Sequence, residues 1–166
     1  YYVAYDSANG NFSGEAWSDT LGWLSFNRGA TGNPPTGSGF PADPGAGTGP
    51  IAKLVGTNLT GWARFLNACV KVSGIPTCSS GVDPASGGWD GWVSFQGTSP
   101  NYGVTINNAS TTGYAWAGDV IGWIQMQSLV GEPNFGVSRD LPQAAVSVLV
   151  VGSDSPAKEL ALTFVA

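Results

Sequence analysis

Three observations predict an all-β fold for this chain. Charged residues make up only 10% of it, against roughly 25% in ordinary soluble domains. Glycine (25) and proline (11), with many Ser, Thr and Asn, fill the gap. No long stretch carries a helical period; apolar residues alternate over short runs bounded by turn residues, the pattern of half-buried strands. One such run is written three times, as "LGWLSF" (21–26), "DGWVSF" (90–95) and "IGWIQM" (121–126). Its 166 residues are enough for one domain with a real core.

Aligned backwards from the Trp phrases, the chain resolves into three imperfect units. The first spans residues 2–27. Strand a is "YVAY", and a turn "DSANGN" follows, carrying Asn9-Gly10, a pair suited to a tight reversal. Strand b is "SGEAWS", a short turn at Asp19-Thr20 reverses it, and strand c is "GWLSF". Residues 28–50 form a Gly/Pro-rich loop without periodicity. The second unit, 51–96, is split: "IAKLVGTNLTGWARF" supplies its first half and "GGWDGWVSF" its second, around an excursion at 66–86. The third, 101–127, reads "YGVTI", "NNAST", "TGYAWA", "GDV" and "GWIQM". It matches the first at Tyr2/Tyr102, Gly14/Gly113, Ala16/Ala115, Trp17/Trp116, Gly22/Gly122 and Trp23/Trp123, with one residue of slippage. A fourth start, "NFGVSRD" at 134–140, runs into the most apolar stretch, "AAVSVLVVG" and "KELALTFVA", expected to form a hairpin around Ser153–Pro156. A three-stranded unit cannot bury a face alone. The expected architecture is therefore a single domain, an antiparallel sandwich or prism-like stack of the three units plus the C-terminal hairpin.

Side chains alternate across a strand. Leu24 with Phe26, Val93 with Phe95 and Ile124 with Met126 therefore share one face, the expected core. Trp23, Trp92 and Trp123 lie on the other, near Ser25, Ser94 and Gln125. Trp17 and Trp116 occupy the matching place on strand b. Burying one Trp is worth about 2–3 kcal/mol, so this second face is expected to be covered, from within, by a neighbouring subunit or by a sugar. The glycine before each Trp is read as leaving a flat gap where a ring can lie.

The phrases "GEAWSDTLGWLSF" and "NYGVTINNASTTGYAWAGDVIGWI" resemble a tandem β repeat of predicted secreted or surface proteins of uncultured bacteria. That repeat has no assigned activity. The resemblance implies a surface or extracellular location and transfers no catalytic residues. The middle unit departs from the pattern, with Arg64 in place of the first Trp.

Several functions are excluded or disfavoured. The net charge is −5 and the six basic residues are scattered, so no nucleic-acid surface can be drawn. Histidine is absent, which removes His-based triads and His metal sites. No apolar run of about 18 residues exists, so membrane insertion is not expected. The start at Tyr1 without Met or a signal peptide is read as that of a mature, processed product. Cys69 and Cys78, the only cysteines, bracket "CVKVSGIPTC", two short strands around Ser73-Gly74. A disulfide would close that loop and fit an oxidising compartment; the alternative is a pair of buried thiols. The eight Asp and three Glu stand mostly in turns, as Asp6, Asp19, Asp43, Asp83, Asp119 and Asp154 do. Glu15 sits alone on a strand, so no carboxylate pair suggests a glycosidase. "DSANGN", with Asp6, Asn9 and Asn11, is oxygen-rich but reads as a turn rather than a calcium loop. No metal or cofactor is expected. Sequons at Asn11, Asn58 and Asn108 fall at the a–b turns; ordinary turn chemistry accounts for them, with glycosylation as the alternative.

The leading expectation is a non-enzymatic extracellular structural protein. It would polymerise with copies of itself into a filament, pilus-like fibre or surface layer. The joints would be the Trp face and a terminal strand, around Tyr1, Tyr2 and Val3 or around Leu160, Leu162 and Phe164. The alternative is a carbohydrate-binding or adhesive module that stacks polysaccharide on surface Trp.

Overall fold

The computed structural model describes residues 1–74, 77–107 and 110–127, and the backbone of residues 75–76, 145–149 and 160–165. In chain order the elements are β1 (Val3–Asp6), β2 (Asn11–Ser18), β3 (Gly22–Ser25), α1 (Arg28–Thr31), β4 (Ala52–Val55) and β5 (Asn58–Phe65). Then come β6 (Lys71–Val72), β7 (Ile75–Pro76), β8 (Trp92–Ser94), β9 (Gln96–Thr98), β10 (Asn101–Asn107) and β11 (Ser110–Trp116). The series ends with α2 (Gly118–Ile121), β12 (Trp123–Gln125), β13 (Ala145–Leu149) and β14 (Leu160–Val165). The fold is all-β. Twelve of the described strands join one sheet; β6 and β7 form a separate ribbon. Every described pairing is antiparallel except that of β1 with β14.

The same local geometry occurs in all three stretches. Strand a meets strand b at Val3–Gly14, Ala52–Gly61 and Val104–Gly113. Strand b meets strand c at Ala16–Leu24, Ala63–Val93 and Ala115–Ile124. Beyond strand c the next N–H reaches back to the strand-b glycine: Phe26 to Gly14 O at 2.9 Å, Phe95 to Gly61 O at 3.0 Å and Met126 to Gly113 O at 3.0 Å.

Those glycines stand where strand b changes partners. β5 pairs with β4 and β10 through its first half, and with β3 and β8 through its second. Such a switch needs a kink. Gly14, Gly61 and Gly113 supply it with φ of +86°, +88° and +93°, a region in which L side chains are strained. A Cβ on Gly113 would lie 2.0 Å from the Gly103 carbonyl oxygen.

The register corrects the Tyr2/Tyr102 match. With Val3 and Val104 equivalent, Tyr102 corresponds to Tyr1 and Gly103 to Tyr2. The β1–β2 turn is two residues longer than the β10–β11 turn, which moves the alignment. The glycines before the strand-c Trp residues also have another reason than a gap for a ring. Gly22, Gly91 and Gly122 all have φ near +80°, so it is the entry to strand c that requires them.

The inward faces of the three stretches meet in one core. It includes Val3, Phe12, Leu24 and Phe26, then Leu59, Phe65, Val93 and Phe95, then Val104, Ile106 and Met126. Phe26 and Phe95 stack with centroids 5.8 Å apart and rings nearly parallel. Each such side chain contributes about 1.5–3 kcal/mol on burial. β13 and β14 form the expected C-terminal hairpin ladder, Ala145–Val165 to Leu149–Ala161. "NFGVSRD" and the turn at Ser153–Pro156 lie outside the described residues.

Candidate functional site

The outward faces of the three stretches carry aromatic clusters built on one plan. Strand b offers a flat group and strand c offers the Trp that packs against it. Trp17 meets Trp23 at 5.0 Å and Trp116 meets Trp123 at 4.7 Å, both edge-on. In the middle stretch the Arg64 guanidinium lies 4.7 Å over the Trp92 ring. A planar cation replaces an indole there because it, too, can stack on a ring face. A third aromatic completes each cluster: Tyr1 on Trp23, Trp62 on Trp92 and Tyr102 on Trp123.

The clusters differ in what covers them. The middle one is closed by the Gly/Pro-rich loop. Phe40 packs on Trp62, whose indole N–H donates to the Pro41 carbonyl at 3.2 Å. Arg28 holds that loop in place. It donates to both oxygens of Asp43, to the carbonyls of Gly45, Gly49 and Pro50, and to Asn33 Oδ1. Arg28 and Asp43 are the only charged residues between positions 27 and 50, the one sequence signal that could have revealed this clamp. Trp92 is 7% exposed and Trp62 is buried, so Trp92 is not part of an available face. Arg64 is buried with it, donating to the Asp90 and Thr31 carbonyls at 2.7 Å each. Burial lowers its pKa from the ordinary value, and nearby Asp90 acts in the opposite sense.

The first cluster is half covered. Trp23 and Ala30 pack against the group formed by Leu66, Cys69 and Cys78. Cys69 and Cys78 are joined by a disulfide, so the excursion is a stapled flap resting against the first Trp face. Trp17 is half-buried and its N–H donates to Asp19 at 2.8 Å.

The third cluster has the most open indole. Trp123 is 47% exposed and neighbouring Tyr114 is 42% exposed, while Trp116 is half-buried. Tyr102 is held by a hydrogen bond between its hydroxyl and Ser94 Oγ. Burial raises its pKa from the ordinary value, and the Ser94 bond opposes that rise. β12, the strand that carries Trp123, pairs on one side with β11 and has no other described strand partner.

No known protein family, curated protein or solved structure matches this chain. What the site can do must therefore be read from its own residues.

Among the described residues no group of three His, Cys, Asp or Glu side chains is placed to hold a metal. The Asp6 loop is a turn: Asp6 accepts from the Ala8 N–H and the Asn9 amide, and Asn9 accepts from the Asn11 N–H. Glu15 accepts from Ser25 Oγ at 3.2 Å. Asn11 and Asn58 each stand three residues before the strand-b glycine; Asn58 is exposed and Asn11 half-buried. Asn108 lies outside the described residues. Among the described residues no helix is long and apolar enough to cross a membrane. The two chain ends lie side by side in the sheet. Val3 pairs with Phe164 across the β1–β14 parallel contact, and Leu160 with Ser18 on β2. Tyr1 and Tyr2 are exposed, and Leu162 pairs with Val148 within the hairpin.

Proposed function

We propose that this protein is an extracellular structural subunit that assembles with copies of itself into a filament, pilus-like fibre or surface layer. The observation that carries this reading is the uneven cover of three like-built aromatic faces. Two are closed wholly or partly by the chain's own insertions, whereas Trp123 and Tyr114 stand open on and beside β12, which has no described strand partner besides β11. An open aromatic face invites association. A disulfide-closed flap and a low charge content suit a durable building block outside the cell. Light scattering on the purified chain at neutral pH tests the proposal. Mass growing with concentration and fibres in negative stain are the expected result. A monomer at every concentration refutes it.

Trp123 also supports a second reading, a polysaccharide-binding or adhesive module. An exposed indole with Tyr114 and Gln125 nearby offers a stacking platform with polar groups at its edge. This reading predicts a change in Trp fluorescence on adding polysaccharide that Trp123→Ala abolishes.

A further inference from the structure

Successive stretches of the sheet are joined by one repeated contact. Strand c of one stretch lies beside the second half of strand b of the next, with Ser25 opposite Arg64 and Ser94 opposite Trp116. Both serines are buried there. In the first stretch the corresponding place on β2 is taken by β14. Ala161 of β14 stands opposite Trp17 and Leu160 opposite Ser18. Trp17, Arg64 and Trp116 are equivalent positions, each one residue beyond the Ala that pairs with strand c. "LAL" at 160–162 therefore occupies the register positions of "LSF" at 24–26 and "VSF" at 93–95. Both patterns place a small residue between two large apolar ones. β12, the true strand c of the third stretch, carries half-buried Gln125 where the other three carry Ser, Ser and Ala. It is the wrong strand for this seat, and β14 is the right one.

The hairpin of β13 and β14 follows the third stretch in the chain, but every described ladder bond it makes to the rest of the sheet goes to β1 and β2 of the first. None goes to β12. The bonds that seat it would be the same on the first stretch of another copy.

We propose that β14 is the strand exchanged between subunits, that the C-terminal end donates it, and that its seat is the β1–β2 edge of a second copy. This rests on the self-assembly reading and specifies its joint. Donor and seat are different surfaces, so the contact is heterologous and runs on from copy to copy where its rotation does not close.

The register supplies the test. Ala4 lies opposite Val165 and Ser18 opposite Leu160. Full-length Ala4→Cys and Val165→Cys chains are mixed in dissociating conditions, allowed to assemble and treated with a short bifunctional maleimide. Ser18→Cys with Leu160→Cys is a second pair, should the first disturb folding. Exchange predicts a covalent dimer of unlike chains, and covalent polymers from the Ala4→Cys/Val165→Cys double variant. If polymers grow while the double variant links only within single chains, exchange is overturned and self-assembly stands. Cross-linked species that stop at the dimer support the exchange and overturn the filament. A sample that never exceeds the monomer overturns both.

Discussion

Position 64 carries Arg where its equivalents carry Trp17 and Trp116, and the substitution works because the guanidinium does two tasks. It stacks on Trp92, as an indole would, and it donates to the carbonyls of Asp90 and of buried Thr31. The second task fastens the start of the Gly/Pro-rich loop to the sheet. Lysine can stack poorly and cannot reach both oxygens with a planar fork. Arg64→Lys is expected to cost about 1–3 kcal/mol, the penalty of leaving the buried Thr31 carbonyl unmet, read from urea unfolding at pH 7. Tyr102 gives the pH dependence. Its pKa is raised in the fold, so above the ordinary tyrosine value of about 10 the unfolded chain releases a proton that the native chain keeps. Native stability is therefore complete below that pH and falls as pH rises past it. Tyr102→Phe should flatten this fall in urea midpoints taken between about pH 9 and pH 11. Arg64 was legible in the sequence as a departure from the repeat, but its purpose was not, because the carbonyls it meets lie far away along the chain.

The strand, turn and glycine pattern of each element was readable from local residues, and the outcome follows that reading closely. Alternation placed Leu24, Phe26, Val93, Phe95 and Met126 inward, where they are buried. Glycines were also singled out, with a different reason assigned. What they provide is a positive φ where strand b changes neighbours and where the chain enters strand c. Gly113→Ala meets both a forbidden conformation and the Gly103 carbonyl, and is expected to cost at least about 2–4 kcal/mol. Gly29→Ala, in α1 with open space around it, should be neutral or stabilise by about 0.5–1 kcal/mol. Thermal unfolding of the two variants side by side checks this. An equal effect would mean that the kink is not needed. The loop at 28–50 read only as a Gly/Pro-rich loop without periodicity because what holds it, the carbonyls gathered by Arg28 and the contacts to Trp62 and Arg64, follows no period of its own.

At the scale of the whole molecule the fold is held by apolar packing and main-chain ladders, with little help from charge. Arg28–Asp43 is the one ion pair among the described residues, and it is mostly shielded from solvent. Salt screens exposed pairs and leaves buried ones largely alone. The urea midpoint is therefore expected to move by less than about 0.5 kcal/mol equivalent between roughly 0.05 M and 1 M NaCl. A larger drop would reveal an electrostatic contribution that the sheet does not display.

The all-β class, the three Trp phrases, the inward alternation and the Cys69–Cys78 closure were determined by the sequence itself, since each depends on residues close together in the chain. Which aromatic faces are covered was decided only by tertiary structure. The covers come from inserted segments, the Arg28-clamped loop and the disulfide flap, that belong to no repeat and settle on faces distant from them along the chain. The seat of β14 beside β1 and β2 was decided there too. Strand pairing between chain ends depends on long-range register, and no local periodicity encodes which edge a terminal strand will find.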